Sequence, residues 1–224
     1  MGSASGWHEA RAMLIEVIYD PGCPWCFIGK RQLERALATR PQAQAQVRWW
    51  PFLLNPDMPA EGVERSTYLM RKFGSQARIS RVFGAIADFA EAVGIEFAFD
   101  RIQRTPNTLN AHRLVRFAEM HGSASAAVEA LFHHHFIRGS DIGEVGELIR
   151  IGAELGFPPE EVRLHLQSER DVTDVYAANA RAHRLGINGV PTFLFERTYV
   201  ISGAQEPQVL SRMLDIARER AFAG

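Results

Sequence analysis

The chain has 224 residues, of which 46% are hydrophobic and 23% charged, with a formal net charge of −1. At roughly 100–200 residues per domain, this is one large domain or a domain carrying a sizeable insertion, long enough to bury a core without a disulfide or a metal. The near-zero charge argues against a general polyanion binder, so no nucleic-acid partner is expected. No run of about 18 apolar residues suggests a membrane span, and cysteines at positions 23 and 26 alone exclude a disulfide scaffold.

The first six residues, Met1 to Gly6, are small and polar, without the basic and apolar regions of a secretory signal. A cytoplasmic protein is the expectation, in a compartment where a lasting structural disulfide is disfavoured. Met13 to Tyr19 is apolar and β-prone and reads as a buried strand, broken by Asp20-Pro21-Gly22. Cys23-Pro24-Trp25-Cys26 then opens a helix in which Phe27, Leu33, Ala36 and Leu37 recur at helical spacing. Val47 to Leu54 reads as a second strand, with one tryptophan of Trp49-Trp50 in the core and the other on a packed surface. Asn55-Pro56-Asp57-Met58-Pro59 makes a stiff exit.

From about Val63 to Leu185 the apolar spacing is helical, punctuated by Gly74, Gly94, Gly122, Gly139 and Gly156. Within it, His133-His134-His135 invites a metal reading. Consecutive helical residues point about 100° apart, however, and do not converge on one ion, so no metal is expected. Val190 to Glu196 and Tyr199 to Ile201 read as a hairpin, and a last helix runs from Pro207 to about Arg220. The order is β-α-β, a helical block, then β-β-α. This predicts an α/β domain formed by 12–60 and 186–224, with 61–185 as an inserted helical domain.

The chemistry resides in Cys23 and Cys26. Two thiols separated by two residues at a helix start can close a small ring. The unpaired N–H groups and partial positive charge of the helix N-terminus stabilise a thiolate on Cys23, the attacking species in disulfide exchange. Pro24 lacks an N–H and fits the first helical turn, so it rigidifies. Trp25 is placed to stay partly exposed and touch substrate. Gly189-Val190-Pro191-Thr192, just before a strand, suits a cis peptide at Val190–Pro191, which would leave the Val190 N–H and C=O free for a substrate backbone lying across the cysteines.

With these motifs the chain resembles the thioredoxin-fold superfamily, in its DsbA-like branch with a helical insertion. It is most similar to FrnE-type oxidoreductases through Cys23 to Lys30, Pro51 to Pro56, Arg104 to Thr108, Ala111-His112-Arg113, Gly189 to Thr192 and Ser202 to Gln205. The resemblance implies thiol–disulfide exchange, with Cys23 as nucleophile, Cys26 as resolving thiol and Pro191 as the cis-proline. Substrate would lie against Val190, Pro191 and Thr192. No bound cofactor is implied beyond the Cys23–Cys26 disulfide, with glutathione as a co-substrate. Two departures stand out. Thioredoxins carry a buried acid six residues before the first cysteine, where this chain has Val17; Glu16 and Asp20 are nearby, but strand parity turns Glu16 to the other face. The C-terminal cysteine pair of some FrnE-type proteins is missing.

Three polar residues are accessory candidates. His112 would cap the site as a cation or relay a proton. Asn107 would cap a helix or bind a ligand. Asn55 would brace its loop or bind substrate. The expected partners are protein or small-molecule thiols and disulfides, and the Arg-rich helices leave room for a homodimer. The runner-up is a glutathione-dependent enzyme similar to kappa-class glutathione transferases and 2-hydroxychromene-2-carboxylate isomerases. Those use a serine where this chain has Cys23, and a second cysteine would have no use there. A third reading is a non-catalytic holdase with an apolar groove.

Overall fold

The structure is a computed structural model that describes residues 12–223; the Met1 to Gly6 reading lies outside the described residues. Strand β1 (Leu14–Tyr19) is buried from Ile15 onward on both faces, as a central strand requires. Helix α1 (Pro24–Ala38) follows, with Cys23 at its N-cap and Pro24 in its first turn. Strand β2 (Gln46–Pro51) lies parallel to β1. The expected strand to Leu54 stops at Pro51 because the next amides are claimed elsewhere. Leu53 N–H donates to Asn179 Oδ1 at 2.9 Å and Leu54 N–H to Asp20 Oδ2 at 2.8 Å.

The region expected to be wholly helical contains a small two-stranded sheet. Strands β3 (Val63–Glu64) and β4 (Arg104–Thr105) pair antiparallel around helices α2 (Arg65–Phe73) and α3 (Gln76–Glu91). Two-residue strands carry no periodicity to read. Helices α4 (Leu109–Glu119), α5 (Ala124–His133), α6 (Val145–Glu154), α7 (Pro159–Gln167) and α8 (Val172–Arg184) complete the block. Between α5 and α6, His134–Arg138 form a π-helical turn. Gly139 ends it at φ 79°, where a Cβ would lie 2.5 Å from that of Arg101.

Strands β5 (Thr192–Phe195) and β6 (Tyr199–Ser202) form the expected hairpin, and helix α9 (Pro207–Ala223) closes the chain. The main sheet has the order β2-β1-β5-β6, with β5 antiparallel to both neighbours. Its four strands all come from the two ends of the sequence. On one face of β1, Ile15, Val17 and Tyr19 join a core that runs through Phe27, Phe132 and Phe136 to Phe193 and Phe195. Phe27 of α1 stacks on Phe132 of α5 with centroids 5.0 Å apart. The other face holds a smaller cluster of Ile18, Phe52, Ala182, Ile187 and Leu194. The sheet thus presents the C-terminal end of β1, the start of α1 and the loop before β5 side by side.

Candidate active site

Cys23 and Cys26 lie 3.5 Å apart at the start of α1. Both are free thiols and both are buried, at 4% and 2% exposure. Burial, and then the neighbouring Cys23 sulfur, push the Cys26 thiol well above its usual range. Cys26 is therefore the sulfur that keeps its proton. Pro24 and Trp25 are half-buried between them, and Trp25 packs edge-on against Phe89 of α3, at 5.3 Å between centroids.

The Val190–Pro191 peptide is cis. The Val190 carbonyl faces Cys23 across 167 residues of sequence, with Sγ 3.7 Å from the oxygen. It was expected to be free; the Cys23 thiol occupies it. Thr192 holds the loop, its hydroxyl donating to the Gly189 carbonyl at 2.9 Å and lying 3.0 Å from the Ser202 hydroxyl.

A cavity of about 330 Å³ opens beside the cysteines, walled by the ends of β1 and α1, the exit of β2, α2, α3 and the loop before β5. Cys23, Trp25, Val190, Asn55 and Asp20 all line it. Asn55 accepts a hydrogen bond from the Tyr68 hydroxyl at 2.9 Å, which braces α2 against the β2 exit. Arg65, Tyr68 and Lys72 of α2 also line the cavity, unanticipated from the sequence. The Arg65 guanidinium lies over the Phe83 and Phe99 rings, and among the described residues neither Arg65 nor Lys72 forms an ion pair.

Two of the accessory candidates do not enter the cavity. His112 is fully buried, its Nε2 3.1 Å from the Phe52 carbonyl. Burial pushes it down to about 3, so the expected cation does not form. Asn107 is not the helix N-cap; that position is Thr108. Its Oδ1 instead accepts the Leu109 N–H at 2.9 Å, and its Nδ2 donates to the Met58 carbonyl at 2.7 Å. The histidine run is also dispersed. His134 sits between Glu147 (2.7 Å) and Glu154 (3.0 Å), and His135 is 3.0 Å from the Ser140 carbonyl. Among the described residues no cluster of three or more His, Cys, Asp or Glu is arranged to hold a metal. No described helix is long and apolar enough to cross a membrane.

Asp20 is the functional-looking residue the sequence undersold. It is 1% exposed and accepts hydrogen bonds from Gly22 N–H (2.7 Å), Leu54 N–H (2.8 Å) and the Thr108 hydroxyl (3.2 Å). Burial nonetheless raises its carboxyl from 3.8 to about 6. Glu16 lies on the other face of β1, 3.2 Å from Arg197, as parity requires.

The family model of the DSBA-like thioredoxin domain matches residues 14–215. The chain belongs to that family. The solved structure of a probable DsbA oxidoreductase from Streptomyces coelicolor is 30% identical, with a TM-score of 0.82 over 92% of this chain and 89% of that one. The uncharacterized protein YwbO of Bacillus subtilis (strain 168) is 26% identical over 89% of this chain and 94% of its own length. The cytosolic disulfide reductase DsbM of Pseudomonas aeruginosa, solved with GSH, shares the fold at 22% identity. Its TM-score is 0.64 over 94% of this chain and 98% of that one. The DsbA-like resemblance and the thioredoxin fold with a helical block, both read from the sequence, therefore hold.

Proposed function

We propose that this DSBA-like chain is a thiol–disulfide oxidoreductase that exchanges a Cys23–Cys26 disulfide with partner thiols. The observation that carries the reading is the placement of two free thiols 3.5 Å apart, Cys23 facing the Val190 carbonyl at the rim of a cavity. Cys23 attacks the substrate disulfide. The mixed disulfide lies along the Val190–Pro191 loop, whose carbonyl is released once the Cys23 S–H is gone. Cys26 then resolves it. Pro24 and Trp25 shape the approach.

The substrates include small thiols, glutathione among them. A cavity of about 330 Å³ with Arg65 and Lys72 in its wall suits a small molecule bearing carboxylates. Glutathione in that cavity also fits the second reading, a glutathione-dependent isomerase or transferase. Cys26 weighs against it, because a thiol this close would displace glutathione from Cys23.

One titration separates the two readings. The protein is equilibrated in glutathione buffers of stepped potential, quenched and read by mass. A two-electron couple between dithiol and internal disulfide is expected. Its potential, within the roughly −270 to −120 mV range of such pairs, sets the direction of exchange. A persistent glutathione adduct without internal disulfide would transfer the assignment to the isomerase or transferase.

A further inference from the structure

We propose that Asp20 is the proton acceptor that turns Cys26 into a nucleophile, a role that rests on the oxidoreductase reading. The Cys26 sulfur is buried and must lose its proton at the resolving step. The Asp20 backbone N–H lies against that sulfur, and the Asp20 carboxylate acts on it electrostatically. The same side chain lines the cavity beside Cys23 and is the sole carboxylate among its lining residues. Asp20 therefore links a buried thiol to the solvent-facing cleft.

Its carboxylate has room for the proton. Three donors occupy the two oxygens, out of about four acceptor positions. Burial sets its affinity near 6, close to the working range of a general base. The competing bases are placed elsewhere. His112 packs behind Tyr19 and outside the cavity, and burial holds it neutral. His135 lies in the cavity wall with its Nδ1 engaged by the Ser140 carbonyl, and burial lowers it to about 4. Glu16 is across the sheet with Arg197. The titratable and charged groups facing this corner are Cys23, Cys26, the buried Tyr19 phenol, and Lys72 and Arg65 in the cavity wall.

The step balances. Cys26 S–H gives its proton to the Asp20 carboxylate, and the thiolate attacks Cys23 Sγ of the mixed disulfide. The Cys23–Cys26 bond forms and the bond from Cys23 to the substrate sulfur breaks. The electron pair departs on the substrate thiolate, which takes up the proton that Asp20 releases into the cleft. The two enzyme sulfurs are oxidised and the substrate disulfide is reduced to thiols.

The test mixes fully reduced protein with excess dithiobis-nitrobenzoate and follows thionitrobenzoate release by stopped flow. The wild type is expected to give one equivalent as Cys23 attacks and a second as Cys26 resolves, with the second rate falling as pH drops through about 6. Asp20→Asn should leave the first phase nearly unchanged and slow the second by about 10²-fold, the low end for a general base. A charge effect alone predicts the opposite sign. The Asp20 carboxylate helps to hold the proton on Cys26, so removing the charge would speed the second phase. An unchanged or faster second phase overturns the proposal. Thr108→Val keeps the carboxylate but removes one donor that lowers its pKa, so the acid limb of the second phase should move to higher pH. That variant decides the matter if Asp20→Asn does not fold, and an unmoved limb counts against Asp20. A wild type that gives no second phase sinks the oxidoreductase reading itself.

Discussion

Gly29 and Pro191 are in direct apposition: a Cβ on Gly29 would lie 2.8 Å from Pro191 Cγ and 3.2 Å from Phe193 Cζ. One turn beyond Cys26, α1 thus meets the cis-proline loop with no side chain between them. Gly29→Ala would push the loop away from Cys23 or shift α1. We expect a loss of about 1–3 kcal/mol in urea unfolding, the usual cost of overpacking a core, together with slower attack by Cys23 in the thionitrobenzoate assay. A variant with wild-type stability and rate would show that the loop yields freely.

Replacing Cys26 by Ser should trap the substrate. With the resolving thiol gone, Cys23 forms a mixed disulfide that nothing behind it can displace. Incubation of Cys26→Ser with oxidised glutathione is expected to give a stable adduct by mass, and Cys23→Ser none. An adduct on Cys23→Ser would place the nucleophile at Cys26.

Acid should weaken the fold before any carboxylate in it reaches its ordinary range. His112 and His135 have folded values near 3 and 4 against 6.5 unfolded. The unfolded chain therefore binds their protons first, and stability present above pH 6.5 is lost as pH falls. Asp20 has the opposite sign. Raised to about 6 from 3.8, it binds its proton first in the folded state and returns stability between those values. From pH 7 to 5 each histidine removes about 2 kcal/mol and Asp20 restores about 1. Urea unfolding of His112→Asn at both pH values should show the pH-dependent drop reduced by about 2 kcal/mol. An undiminished drop would mean that His112 is not the neutral, buried group described here.

If the cavity cations recognise carboxylates, charge should govern substrate choice. Arg65→Ala and Lys72→Ala are each expected to raise KM for oxidised glutathione about tenfold, the scale of one charge-assisted hydrogen bond. Neither should alter turnover of the uncharged hydroxyethyl disulfide. Equal effects on both substrates would point to a collapsed cavity wall instead.

Much of this was legible in the sequence, for identifiable reasons. The continuous apolar run of β1, the Asp20-Pro21-Gly22 break and Pro24 in the first turn of α1 are local signals, and they place Cys23 correctly. Val190-Pro191 could be read because proline is nearly alone in adopting cis bonds. What failed was non-local. The end of β2 depends on Asn179 and Asp20 capturing its amides, and β3 and β4 exist only as a pair. His112 was read as exposed and functional because nothing in its own helix announces the Tyr19 ring 5.1 Å away. Arg65 and Lys72 became cavity residues only once α2 folded back over the β2 exit.

The stack of Phe27 on Phe132 has a consequence for how this protein could change. Phe27 is the residue after Cys26, and Phe132 belongs to the helical block, so the redox helix and the block share one apolar interior. The block is therefore not a cassette that could be deleted or exchanged while leaving a working thioredoxin half. Excising it would expose Tyr19 and Phe27 to water beside the reactive sulfurs. Substrate preference in such a scaffold is free to drift through the cavity wall of α2 and α3, whereas the length and seating of α5 are tied to the chemistry itself.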